Sequence, residues 1–267
     1  MMETAFNASD HFNPKEVNSR FQKGGALLSD MRVIVSVWEE DMEKDDPLYT
    51  IARVLPKATL ARVRDIYEYC FRQRFLSGSP RNSWRYARTL EEHNPDLGVV
   101  QLFYYWLTAR SEPTLYGFVT EYVLPAHRAG NYEVRTEDAI GWLDDVNRRA
   151  EKQWSRGVTV RTASGLLAAL RDFGILKGAN RKTIAPISIN CKTFSLIAFC
   201  LSELGFGGSA LLDHYDWKLF LLGEADVERL FLEAHQYGWL RFESAGSVVR
   251  VEFPSSSFKE YADVVLG

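Results

Sequence analysis

The chain has 267 residues, 46% of them hydrophobic and 13% aromatic, with a formal net charge of −3. That content excludes a disordered chain and is enough to pack one large domain or two modest ones. Three cysteines, Cys70, Cys191 and Cys200, lie in apolar stretches without CxxC spacing. An odd count in that setting argues against a disulfide framework or a cysteine metal site and predicts buried, reduced thiols in a cytoplasmic protein.

Residues up to about Asn18 carry neither a basic region nor an apolar run, so no secretory signal is read there and a loose arm is expected. Ser29 is the expected cap of a first helix that places Met31, Val33, Ile34, Val37 and Trp38 at helical spacing. The acidic run Glu39 to Asp46 ends it, and Pro47 closes the connection. From about Lys57 to Leu76 a second helix presents Leu60, Val63, Ile66, Tyr67, Cys70 and Phe71 on one face. Ser77-Gly78-Ser79-Pro80 then turns the chain into a third, arginine-bearing helix.

The segment VVQLFYYWLTA from Val99 is too short for a bilayer and predicts a central core helix. Glu112-Pro113 interrupts it, and two helices follow, over Leu115 to Ala129 and Glu137 to Trp154, the second entered through Thr136. Thr193 to Leu212 is long enough on paper to cross a membrane. Glu203 and three glycines within it predict instead a core helix ending near Gly205. Ala210 to Leu222 and the residues after Ser255-Ser256-Ser257 complete the helical reading.

One cassette occurs twice: an amphipathic helix, a glycine, an apolar pair, and two short strands joined by a polar turn. The copies begin at Thr159 and Ala225, and placing Gly174 on Gly238 aligns Ile175-Leu176 with Trp239-Leu240. This order predicts a winged helix, a module used mainly to hold nucleic acid or another protein. The expected fold class is therefore mainly α. Residues 1–18 form an arm, 19–135 a helical-bundle N-terminal domain, 136–190 a winged-helix module, and 191–267 a helical segment with a second winged-helix-like cassette.

Charge is distributed unevenly along this frame. Arg53 to Arg88 holds nine basic residues against two acidic, Asp144 to Lys182 nine against four, and the chain after Lys182 six against eleven. A basic middle between acidic ends is the pattern of a localised polyanion-binding face. In the first cassette a recognition helix is expected from Thr159 or Thr162 to Phe173, with Arg161 and Thr162 near its start and Lys177, Arg181 and Lys182 in the wing. A helix N-terminus beside a basic turn suits phosphates. The second cassette carries Glu224, Asp226, Glu228 and Glu233, and its turn Ser244-Ala245-Gly246-Ser247 has no lysine, so a structural or protein-binding role is expected of it.

Arg62, Arg72, Arg81, Arg85 and Arg88, with Arg64 and Arg74, either line a groove that tracks a DNA backbone or pair with the acidic run at 39–46, two readings of equal weight. The five histidines lack metal-ligand spacing, and no phosphate-binding loop or nucleophile motif occurs, so neither an enzyme nor a cofactor is expected. Asp213-His214-Tyr215-Asp216 is the one dense polar cluster. Its apolar neighbours favour a structural role over a nuclease metal site.

Three stretches carry a family resemblance: FQKGGALLSDMRVIVSVWEE, IARVLPKATLARVRDIYEYCFRQRFLSG, and TLYGFVTEYVLPAHRAGN followed by WSRGVTVRTASGLLAALRDFGILK. Together, over roughly residues 19 to 190, they resemble the BrxA family of the bacterial BREX phage-exclusion systems. The resemblance implies a non-enzymatic DNA-binding accessory of an antiviral defence system, acting on double-stranded DNA beside a methyltransferase, an ATPase and a phosphatase-like protein, while Glu203 and the glycines of Thr193 to Leu212 argue against a place in the membrane. The alternative is an assembly adaptor within that system that does not bind DNA.

Overall fold

The computed structural model describes residues 12–267, apart from 44–45, 58, 187–188 and 247. Of the features read from sequence, most of the N-terminal arm, part of the acidic run, part of the 186–191 connection and Ser247 of the second turn lie outside the described residues. The chain is mainly helical, as its periodicity requires. In order it forms α1 (Leu28–Val37), α2 (Pro47–Val54), α3 (Leu60–Ile66) continuing as a π-helix (Tyr67–Leu76), α4 (Trp84–Glu92) and α5 (Leu97–Ser111). Then come α6 (Pro113–Phe118), a π-helical turn (Val119–Val123), α7 (Leu124–Arg128), β1 (Glu133–Val134), α8 (Thr136–Arg149), α9 (Arg156–Asp172), β2 (Leu176–Lys177) and β3 (Lys182–Ile184). The C-terminal part holds α10 (Cys191–Glu203), α11 (Ser209–Leu212), a 3₁₀ helix (Tyr215–Phe220), α12 (Glu224–Gln236), β4 (Arg241–Ala245), β5 (Val248–Glu252) and α13 (Phe258–Leu266).

Local chemistry sets several boundaries differently from expectation. Leu27 in the left-handed region precedes α1, so Ser29 lies inside the helix rather than capping it. Pro47 opens α2 rather than only closing a connection: it sits at the first position, where its missing N–H costs nothing, and Asp46 accepts from the Leu48 N–H. Thr59 caps α3, which starts at Leu60 rather than Lys57. The chain is packed before residue 18: Phe12 lies 5.8 Å from the Trp142 ring, and Val17 is buried.

Helix α5 runs through the middle, with Phe103 through Ser111 all buried. Around it an aromatic chain passes from Trp38 to Phe71 (4.9 Å), Phe75 (5.6 Å) and Tyr104 (5.5 Å). The C-terminal helix joins the same core, since Phe258 meets Tyr86 of α4 at 4.9 Å and Phe103 of α5 at 5.7 Å. Val17, Phe21, Phe103, Leu166, Phe231 and Val265 thus belong to one continuous hydrophobic cluster. Cys70, Cys191 and Cys200 are buried in it as free thiols, and burial pushes the Cys191 thiol up to about 12. Among the described residues no helix is long and apolar enough to cross a membrane.

Asp216 fastens the C-terminal part to α5. Its carboxylate, 2% exposed, accepts from the Trp106 indole at 2.7 Å, Arg110 Nη1 at 2.6 Å and the Tyr116 hydroxyl at 3.0 Å. Burial opposes the charge, but Arg110, then His214 and the indole N–H, hold this carboxyl below its usual range. The role of the Asp213–Asp216 cluster is therefore structural. Asp216→Ala would leave Arg110 buried without its carboxylate, a change that costs about 3–5 kcal/mol. Urea unfolding of this variant should show that loss, and an unchanged midpoint would contradict the role.

A second fastener titrates. His93 of α4 places Nε2 2.8 Å from the Asp263 carboxylate of α13 and Nδ1 2.8 Å from the Thr89 carbonyl, two acceptors for one imidazole. Burial works against the charged ring, but both acceptors favour it and the His93 pKa is raised. A raised folded value means that the contribution to stability is complete below the ordinary histidine value of about 6.5 and fades as pH rises through the folded value. Melting temperatures at about pH 5.5 and pH 8 should therefore differ less in His93→Gln than in the parent. An unchanged difference would rule the fastener out.

Candidate nucleic-acid interface

The first cassette is completed by elements ahead of it. Strand β1 pairs antiparallel with β3 (Glu133 opposite Thr183, Val134 opposite Lys182), and β3 pairs with β2 (Leu176 opposite Ile184, Lys177 opposite Thr183), giving the order β1-β3-β2. Between β1 and β2 run α8 and α9. Helix α8 is entered through Arg135, whose backbone N–H donates to Asp138 Oδ2 at 2.7 Å. Helix α9 starts at Arg156, earlier than Thr159 or Thr162, because Ser155 caps it and accepts from the Val158 N–H.

Helical spacing divides α9 into two faces. Thr159, Thr162, Ala163, Leu166, Leu167 and Leu170 are buried, whereas Gly157, Arg161, Ser164 and Arg171 are exposed. Thr162, 0% exposed, belongs to the core and cannot reach a ligand, which corrects its assignment as a binding residue. The helix ends at Gly174 with φ +78°, and α12 ends likewise at Gly238 with φ +73°, the left-handed stop that glycine adopts without strain. Both hairpins therefore leave their helices by the same turn.

Arg161, Lys177, Arg181 and Lys182 have no carboxylate partner within ion-pair distance among the described residues. Arg161 makes a 3.4 Å contact with the amide oxygen of Gln22. Lys177 and Arg181 are exposed, and Lys182 closes the turn by donating to the Ala179 carbonyl at 2.9 Å. The nearby carboxylate of Glu133 is engaged by Arg135 at 3.1 Å, and Arg135, then Arg181, hold it below its usual range. Arg156 and Arg171 at the two ends of α9 face Asp144 (3.2 Å) and Asp172 (2.8 Å).

The N-terminal arginines are used differently. Arg72 lies 3.1 Å from Glu68 and 3.7 Å from Glu43, Arg85 pairs with Glu40, and Arg88 donates to the Val35 and Trp38 carbonyls at 2.5 Å and 2.6 Å, with Glu39 at 3.9 Å. Those three guanidinium groups reach into or beside the acidic run. Arg62 donates to the Lys23 carbonyl, Arg74 is wholly buried, and Arg81 is exposed in the turn before α4. Gln22, beside Arg161, was not visible as a site residue from sequence, because 139 positions separate the two.

The second cassette presents another surface. Its strands pair in register, Arg241 opposite Glu252 and Glu243 opposite Arg250, so the charges on that face alternate and cancel. On α12, Leu232 is 46% exposed, and beyond the helix Tyr237, 60% exposed, stacks on Trp239 at 4.5 Å. Among the described residues no group of three histidine, cysteine or acidic side chains could hold a metal ion.

No curated protein and no solved structure matches the chain. The family model for BrxA does, over residues 15–199, which takes in the N-terminal helices, the whole first cassette and most of α10. With well over half of its length matched, the chain belongs to the BrxA family and is a component of a BREX phage-defence system.

Proposed function

We propose that this component binds duplex DNA through its first cassette, read as a winged helix with α9 as the recognition helix and the β2–β3 turn as the wing. The observation that carries this reading is the set of four cations, Arg161, Lys177, Arg181 and Lys182, gathered around α9 and its hairpin without ion-pair partners among the described residues. Cations left unpaired are suited to phosphates, whose condensed counterions they release. The exposed positions of α9 are Arg156, Gly157, Arg161, Ser164, Arg171 and Asp172, of which Arg156 and Arg171 face carboxylates, so contact is dominated by the backbone with little readout of base edges.

The strand–helix–helix–strand–turn–strand order, with the first strand paired to the last, supports the winged-helix reading. The proposal takes this component as a cytoplasmic accessory without catalysis of its own. The other BREX components are its partners, and a methyltransferase, an ATPase and a phosphatase-like protein are the ones the proposal names. The exposed Leu232 and Tyr237, with the half-buried Trp239 on which Tyr237 stacks, lie on and just beyond the acidic α12 and support a second role, docking of such a partner on the second cassette.

Replacing Arg161, Arg181 and Lys182 together by alanine should weaken binding to a random-sequence duplex by more than tenfold at moderate salt. It should also lower the slope of log affinity against log salt by about 2–3, one unit for each lost contact. Equal affinity and slope in parent and variant would reject the site. Capture of a BREX partner that survives nuclease treatment, with no DNA affinity in the parent, would leave the adaptor as the function.

A further inference from the structure

The face of α9 beside Arg161 is not bare. The segment Arg20–Ala26 lies across the helix as a strap, so closely that a Cβ on Gly165 would stand 2.1 Å from the Phe21 carbonyl oxygen and one on Gly25 3.4 Å from the Gly165 carbonyl oxygen. Glycine at 165 is what permits this approach. The strap is fixed from behind: buried Arg74 donates to the Gly25 carbonyl at 2.8 Å, and Arg20 and Arg74 share the Glu112 carboxylate at 3.0 Å and 2.9 Å.

In front, the strap brings together groups that are distant in sequence. Gln22 touches Arg161, and Arg62 of α3 donates to the Lys23 carbonyl. Lys23 Nζ sits 5.1 Å from the centroid of Tyr69, a ring 42% exposed. Lys23 also meets Asp65 at 3.3 Å, both side chains being a third or more exposed, and a surface pair of this kind exchanges readily for another anion.

We infer that the strap is part of the DNA-binding surface: Lys23, next in the chain to the Gln22 that touches Arg161 and flanked by Arg62 and Tyr69, contacts a phosphate next to those held by α9. The inference rests on the DNA-binding reading of the first cassette and extends that surface onto the N-terminal half of the chain. The strap is thus more than a cover for α9, because it sets how far along the duplex the protein reaches.

The test is a salt series on the full chain with a labelled random-sequence duplex, comparing the parent with Lys23→Gln and Lys23→Glu. Neither substitution touches the buried pair, and melting temperatures check that both variants fold. Losing one phosphate contact should weaken binding about fivefold at moderate salt and lower the salt slope by about one, and charge reversal should weaken it further. Gly165→Ala, which keeps every charge but pushes the strap off α9, should weaken binding as well. Lys23 variants that overlay the parent, while the Arg161, Arg181 and Lys182 triple variant loses binding, would overturn this inference and leave the cassette reading standing. A parent that does not bind at low salt would overturn both.

Discussion

Glu112 sits at the break between α5 and α6 with no exposure to solvent, and two guanidinium groups converge on it. A lone buried carboxylate would be very costly, and this one is tolerated because Arg20 and Arg74 answer it from opposite ends of the N-terminal half. Arg74 brings a further constraint, since its remaining N–H groups need acceptors and take the Gly24 and Gly25 carbonyls. The strap therefore lies where Arg74 places it. Because the strap rests on Gly165, the buried charge cluster also positions the first cassette against the helical core.

Around that point the molecule separates its tasks. The Phe258 ring and the buried Asp216 carboxylate fasten the C-terminal part to the N-terminal helices, leaving two helix–hairpin units built on one continuous core. The units share the glycine stop and the antiparallel hairpin but differ in charge. One leaves Arg161, Lys177, Arg181 and Lys182 without carboxylate partners among the described residues, and the other pairs Arg241 with Glu243 along β4 and Arg250 with Glu252 along β5. A self-neutralised face attracts no polyanion, whereas its exposed Leu232 and Tyr237 suit a protein surface. In the proposed reading, similar local structure serves two kinds of partner through the distribution of charge.

Much of this is legible in the sequence wherever the cause is local. Both cassettes follow from helical spacing and a glycine stop, and α5 from its unbroken apolar run. Proline at a first helical turn is harder to read, because Pro47 breaks a preceding helix as readily as it opens the next, and α2 escaped for that reason. Thr162 shows the limit of counting from an assumed helix start: once Ser155 is the cap, position 162 turns inward. Long-range pairing left no signal at all. Arg74 and Glu112 are 38 residues apart and Arg20 and Glu112 are 92 apart, and nothing near any of them marks it for burial.

The central claim is that DNA lies on the first cassette and its strap. Amide hydrogen exchange of the full chain, with and without excess random-sequence duplex at low salt, tests it most directly. New protection should concentrate at the start of α9, in the β2–β3 turn and across residues 20–26, with α12 and the β4–β5 hairpin unchanged. Protection confined to the second cassette, or none anywhere, would contradict the account.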